Sequence, residues 1–193
     1  MIVRLDFGDG ARRARSLRLA PRAGPGVHVI AQLSPHLPFK DNSVDEILLD
    51  RSLAHADDVL GALEECWRIS KPGTTVHLRL PHASSPWAVS RDPRHGRHFT
   101  LETFNYFDPE RGDPGCRSSA SFQVEQARLY LTGPRRNARG MALARGAFAR
   151  VIEAFANQNR GMQYRWERWF APIIGGFEEF SVVLSAVKNT SLA

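Results

Sequence analysis

The sequence predicts an α/β domain in which a mostly parallel sheet is covered by helices. Two observations predict it. Short apolar, β-branched runs alternate with turns through the first 81 residues, and one segment among them has helical rather than strand periodicity. Strands alternating with crossovers in this way favour a parallel sheet.

The elements follow in order. Ile2 to Phe7 is strand-like and stops at Gly8-Asp9-Gly10, a turn sequence. Ser16 to Ala20 is a second short apolar-rich segment closed by Pro21, and Val27 to Leu33 is a third, bounded by Gly26 and Pro35. Val44 to Leu49 follows the turn-forming Asp41-Asn42-Ser43 and has the composition of a buried strand. A helix is predicted from about Asp57 to Ser70, because Val59, Leu60, Leu63, Cys66 and Trp67 recur at helical spacing. Asp57 or Asp58 can cap its start, and Lys71-Pro72-Gly73 ends it. Thr74 to Leu80 is the next strand, terminated by Pro81.

The second half differs in character. His82 to Gly115 is rich in Pro, His, Asp and aromatic residues, with one short helical piece at Leu101 to Tyr106. A long irregular insertion of this kind is more often functional than filler. Phe122 to Leu131 alternates like a strand with one wet face, with one slip of phase. Met141 to Asn157 is helical on Leu143, Phe148, Val151, Ile152 and Phe155, and an aromatic-rich segment follows around Tyr164 to Phe170. Glu179 to Lys188 is a closing strand. One domain over 1–193 is expected, with 1–81 as its first half and 82–193 contributing a loop, helices and final strands.

Composition narrows the classes. Apolar residues make up 42% and charged residues 24%, ordinary for a soluble globular protein. Cys66 and Cys116 form neither a CxxC pair nor a disulfide framework, so a reducing cytoplasm is the default. No apolar run is long enough to cross a bilayer, and MIVRLDFGDG does not resemble a signal peptide. The net charge is +6, with arginines clustered at 12–22, 91–97 and 135–139. No zinc-finger, RRM or KH signature accompanies them, so a solvated basic surface is the plainer reading and a nucleic-acid partner the lesser one.

One stretch carries a recognisable pattern. Leu37-Pro38-Phe39-Lys40-Asp41-Asn42-Ser43-Val44-Asp45 leads into a strand; Ser52-Leu53-Ala54-His55 follows, and then Leu63-Glu64-Glu65-Cys66-Trp67-Arg68-Ile69-Ser70-Lys71-Pro72-Gly73-Thr74. In order and spacing this resembles the class I S-adenosylmethionine-dependent methyltransferases of the type 11 group. The likeness runs over Met1 to Pro81 and continues into Pro81-His82-Ala83-Ser84-Ser85-Pro86-Trp87, Asp92-Pro93-Arg94-His95 and Thr103-Phe104-Asn105-Tyr106-Phe107. It implies a Rossmann-like sheet with helices on both faces and an antiparallel carboxyl-terminal strand. The implied cofactor is S-adenosyl-L-methionine.

The resemblance also implies which residues hold that cofactor. They are Asp6, Phe7, Gly8, Asp9 and Gly10 in the first turn, Arg18 on the second strand, Gln32 and Leu33 after the third, Asp50 after the fourth, and His55. Glycines allow backbone to approach a nucleoside closely, and such ligands bind at the carboxyl ends of parallel strands. Several positions depart from the pattern, Asp9, Ala54 and Thr74 among them, and two bear on the nucleoside. Where the group has an acid for the ribose hydroxyls, the best alignment places Arg18, which has no acceptor. Where an Asp meets the adenine amino group stands Gln32, whose carbonyl oxygen can still accept.

On the substrate side, methyl transfer from a sulfonium needs a positioned nucleophile and a proton acceptor. His82, at the carboxyl end of the fifth strand, is the candidate base; its alternative is a polar residue capping the strand. Asp92 could orient His95 in the following loop. His82, Asp92, His95 and His98 could also ligate a metal, but their spacing fits no standard zinc pattern and no metal is expected. Phe99, Phe104, Tyr106 and Phe107 could wall a pocket or, more simply, anchor the loop on the core. Trp166, Trp169 and Phe170 could form a homodimer patch, an apolar lid or local core.

Three functions are compatible with this sequence. The first is a methyltransferase acting on a small or medium metabolite. The second is a methyltransferase fold retained as a non-catalytic binding or scaffold partner. The third is a basic nucleic-acid-binding protein.

Overall fold

In the computed structural model, residues 3–7, 16–20, 25–86, 97–111, 118–131 and 142–188 are described. Expectations placed on Gly8, Asp9, Gly10, Asp92, His95, Cys116 and most of the arginine clusters lie outside them. Seven strands form one sheet: β1 (Arg4–Asp6), β2 (Leu17–Ala20), β3 (Val29–Ile30), β4 (Val44–Asp50), β5 (Ser70–Pro81), β6 (Phe122–Tyr130) and β7 (Glu179–Ala186). Their spatial order is β3-β2-β1-β4-β5-β7-β6. The pairs β1–β2, β1–β4, β2–β3 and β4–β5 are all parallel. The backbone bonds Glu178 to Tyr130 and Val187 to Ser121 run in opposite senses along the two strands, so β7 is antiparallel to β6.

The chain divides into two compact units, 1–79 with 104–126 and 182–193, and 80–103 with 127–181. The first contains residues of all seven strands and α1 (Val59–Ile69). Its core is apolar for a local reason. Val44, Ile47, Leu48 and Leu49 on β4 are all buried, as a central parallel strand covered on both faces requires. From α1, Ala62, Leu63, Cys66 and Ile69 join them. Asp58 caps α1, accepting from Gly61 N–H at 2.9 Å. Phe104 and Phe107 are buried, Phe107 packing on Phe122 with ring centroids 6.2 Å apart. These two rings act as anchors rather than as a wetted pocket wall.

Lys71-Pro72-Gly73 does not simply end the helix. β5 begins at Ser70, directly after α1, and the register with β4 jumps from Val44–Ser70 to Glu46–Thr75. The surplus residues are accommodated as a bulge containing Gly73 at φ 75°. Burial of the Cys66 thiol pushes its pKa up to about 12, so it stays protonated and behaves as a small apolar group.

The second unit carries α2 (Ala142–Ala156), α3 (Arg160–Arg165), a π-helical turn (Trp166–Phe170) and a helical turn (Ala171–Ile174). Side chains of this unit satisfy the backbone of β6. Leu129 donates its N–H to Asn157 Oδ1 at 2.7 Å, and its carbonyl accepts from Asn157 Nδ2 at 2.9 Å. Leu131 N–H donates to Glu153 Oε1, and Gln163 Nε2 donates to the Ala127 carbonyl. β6 is the last strand of the sheet, so these bonds cover an edge that would otherwise be open to pairing. Apolar periodicity gives no hint of this.

Two expectations about packing differ from the structure. Of the apolar face predicted for α2, Ile152 is buried, but Phe148, Val151 and Phe155 are exposed. Trp169 and Phe170 are exposed too, rather than part of a local core. Helical spacing establishes that residues share a face; it does not say that the face is covered.

Candidate functional site

The first unit places most of the expected cofactor residues along one edge. Because β3, β2, β1 and β4 are parallel neighbours, their carboxyl ends lie on the same side of the sheet. The chain runs outward from β1 to β2 and β3, then returns to the other side of β1 as β4. That reversal is where open α/β sheets form a ligand crevice. Asp6 ends β1 and is largely buried, in register with Arg18 on one side and Leu48 on the other. Phe7 extends the strand, its N–H donating to the Leu48 carbonyl at 3.0 Å.

Arg18 lies beside Asp6, two residues before the end of β2 at Ala20. Arg18 and Ala20 therefore share a face of the strand, and neither brings a carboxylate to the strand's end. Arg18 N–H is bonded to His28 Nδ1 at 3.0 Å, and the Arg18 carbonyl accepts from His28 N–H. Past β3, Gln32 is exposed and Leu33 buried. Asp50 ends β4. Arg51 follows in the left-handed region at φ 61°, a conformation that non-glycine residues rarely adopt. Its N–H bonds the Arg79 carbonyl, and a 3₁₀ turn (Ser52–His55) then brings in His55. A strained turn at the carboxyl end of a central strand is a feature that periodicity could not reveal.

This donor set suits part of the expected cofactor. Asp6 and Asp50, on adjacent parallel strands, are carboxylates suited to an ammonium. Gln32, exposed just past β3, has an amide carbonyl able to accept from an amine. The ribose diol has no carboxylate waiting for it on β2. Residues Gly8 to Gly10, expected to approach the cofactor, lie outside the described residues.

The most recognisable stretch of sequence turns out to be a clamp. Glu65, buried on α1, accepts from Leu37 N–H at 2.6 Å and from Arg68 Nε at 2.7 Å. Arg68 Nη2 also donates to the Phe39 carbonyl at 2.8 Å, and Nη1 pairs with Asp41. Asn42 and Ser43 donate their N–H groups to the carbonyls of Arg68 and Ile69. Lys188 reaches the Arg68 carbonyl at 3.0 Å and lies 4.6 Å over the Trp67 ring. Burial raises the Glu65 pKa, but the Arg68 and Leu37 hydrogen bonds and the Arg68 charge outweigh it and hold the carboxyl below its usual range. Asp45, bonded by Lys71 at 2.7 Å and Val3 N–H at 2.8 Å, is likewise held low. The pattern Leu-Pro-Phe-x-Asp-Asn-Ser thus fixes the entry to β4 rather than lining a site.

In the second unit His82 is almost wholly buried, between the edges of Phe177 and Phe180. Both its ring nitrogens are engaged. Nε2 lies 2.6 Å from Glu167 Oε1, and Nδ1 lies 2.7 Å from Ser84 Oγ. The Ser84 N–H also points at Nδ1, at 3.1 Å. A backbone N–H can only donate, so Nδ1 is an acceptor and Nε2 carries the proton toward Glu167. Glu167 Oε1 additionally accepts from Leu101 N–H at 2.9 Å. Ser84 Oγ accepts from Phe177 N–H at 3.0 Å while donating to the imidazole. The sequence offered Asp92 as the orienting carboxylate, for His95. The described carboxylate beside a histidine of this unit is Glu167, 85 residues from His82, and no local signal could have found it.

Residues 2–78 match the family described as "Methyltransferase domain". A demethylmenaquinone methyltransferase from Thermobifida fusca (strain YX) is 33% identical over 72 residues, 37% of this chain and 30% of that protein. The match thus spans less than a third of that relative's length. Among solved structures, the YcgJ protein from Bacillus subtilis aligns with a TM-score of 0.57 at 14% identity, covering 97% of this chain and 92% of that one. A S-adenosylmethionine-dependent methyltransferase from Archaeoglobus fulgidus aligns with a TM-score of 0.54 at 14% identity, covering 95% and 86%. At such identity these likenesses establish the fold.

Proposed function

Since this chain has the class I methyltransferase fold and its first 78 residues carry the methyltransferase-domain pattern, we propose that it is an S-adenosylmethionine-dependent methyltransferase acting on a small or medium metabolite. The observation that carries the reading is the reversal of strand order at β1, with Asp6 and Asp50 ending adjacent parallel strands there. Asp6 and Asp50 would hold the ammonium, and Gln32 and Leu33 would meet the adenine. Phe7 and His55 would complete the crevice with the turn Gly8-Asp9-Gly10, and Arg18 would lie next to Asp6. When bound, the cofactor supplies an electrophilic methyl group.

This chain's residues then have to hold the acceptor and remove its proton. His82 is the candidate base, and the structure supports a route through Ser84. Glu167 fixes Nε2 as the protonated nitrogen, which leaves Nδ1 to receive a proton passed along the Ser84 hydroxyl. Glu167 is thus a positioning residue. Asp92 and His95 remain candidates for the same substrate loop.

Calorimetric titration of S-adenosylmethionine into the full chain is the test. Binding is expected, weakened roughly ten- to hundred-fold in Asp6→Asn if the carboxylate meets the ammonium. No heat at millimolar ligand rejects the enzyme and leaves the second reading, a methyltransferase fold kept as a scaffold, which the acceptor-free end of β2 favours. If turnover is found, Glu167→Gln should lower kcat with KM for S-adenosylmethionine little changed, whereas a merely structural Glu167 would move both.

A further inference from the structure

The π-helical turn Trp166–Phe170 and the helical turn Ala171–Ile174 sort their side chains in opposite directions. Glu167 is turned inward, onto His82 and the Leu101 N–H. Trp169, Phe170 and Ile173 are turned outward, 66%, 45% and 79% exposed. Pro172 beside them is exposed as well. A π turn is rare and is found frequently at functional sites.

Along this segment the outward-facing charges have one sign. Residues 165–175 contain a single acid, and it is the inward-facing Glu167. Arg165 and Arg168 are both exposed, and the Arg168 guanidinium lies 5.8 Å over the Trp169 ring. Around them the chain as a whole carries +6.

We propose that this face docks onto a bilayer surface bearing anionic headgroups. Trp169, Phe170 and Ile173 would enter the boundary between headgroups and acyl chains, with Arg165 and Arg168 paired to lipid phosphates. Aromatic rings with an apolar body flanked by arginines are the chemistry enriched at that depth. Taken by itself, this patch is small for a second copy of the chain. Three such side chains expose on the order of 300–400 Å², about half of the roughly 800 Å² that each partner of a stable dimer covers. A bilayer needs no complementary shape, and a small apolar patch reinforced by basic residues is sufficient. No helix among the described residues is long and apolar enough to cross a membrane. This inference does not depend on methyl transfer.

The test is flotation of the full chain with phosphatidylcholine vesicles, with and without phosphatidylglycerol, at low and high salt. Flotation is expected with the anionic vesicles and should fall as salt rises. R165E/R168E should lower the partition coefficient about thirtyfold or more, since each basic residue near such a surface contributes roughly fivefold. W169S/F170S/I173S should abolish flotation; because the Phe170 ring packs on Trp166 at 4.8 Å, W169S/I173S is the companion variant that should weaken flotation with the thermal melting profile intact. The blue shift of tryptophan emission on adding vesicles should vanish in W169S alone. No flotation of the unmodified chain would overturn the proposal, as would flotation indifferent to both variants. It would also be overturned if sedimentation showed the triple serine variant converting a dimer to a monomer, which would make a second copy the occupant.

Discussion

Arg68 shows how much a single side chain can hold. Its guanidinium ties α1 to the segment before β4 through Glu65, Asp41 and the Phe39 carbonyl. Removing it strands a buried Glu65 carboxylate. Breaking a fully buried pair costs about 3–5 kcal/mol, but Arg68 is 35% exposed, so Arg68→Ala is expected to cost roughly 2–3 kcal/mol in urea denaturation. Arg68→Lys should recover less than half, because an ammonium cannot serve Glu65, Asp41 and the Phe39 carbonyl as a planar guanidinium does. The same cluster sets the response to acid. Glu65 and Asp45 have folded pKa values below their ordinary 4.5 and 3.8, so in acid the unfolded chain takes up their protons first. Their contribution is complete above those ordinary values and is lost as pH falls through the lower folded ones. The melting temperature should therefore drop below about pH 4.5, and Glu65→Gln should flatten part of that slope.

At the level of elements, two adjacent glycines separate conformation from space. Gly175 and Gly176 both have φ 84°, a backbone region that favours glycine. A Cβ on Gly175 meets nothing within 4 Å, whereas one on Gly176 would collide with the Ser84 carbonyl. Gly175→Ala should therefore cost about 1 kcal/mol, the ordinary penalty at a helix end. Gly176→Ala adds a backbone collision and is expected to cost about 3 kcal/mol or more, read by urea denaturation. Because Ser84 carries the hydroxyl bonded to His82, Gly176→Ala should also disturb any activity that passes through that imidazole. The bulge at Lys71-Pro72-Gly73 belongs to this scale as well. A Lys-Pro-Gly turn is visible in sequence, but the strand partner that turns it into a bulge is not.

For the whole molecule, the functional reading has a thermodynamic consequence. A ligand that binds only the folded chain stabilises it by mass action, about 1.4 kcal/mol at ten times its dissociation constant. For a chain of this length S-adenosylmethionine at that concentration should raise the melting temperature by roughly 3–6 °C. Asp6→Asn should shrink the shift at fixed ligand.

How much of this was legible beforehand depended on distance along the chain. Composition and periodicity were enough to determine β4, β5, α1 and the closing strand, because an apolar run or a helical stripe is a local property that any packing must respect. Asp58, as one of two candidate caps, was readable for the same reason, and so was the family likeness centred on Leu37 to Thr74. Tertiary structure alone decided the partners. Glu65 and Arg68 are neighbours on α1, yet what they grip lies nearly thirty residues upstream; Glu167 meets His82 across 85 residues. It also decided which apolar faces stay uncovered, Phe148, Val151 and Phe155 on α2 and Trp169, Phe170 and Ile173 beyond it. Residue spacing records which side chains share a face; only the folding of the distant chain determines whether anything comes to rest against it.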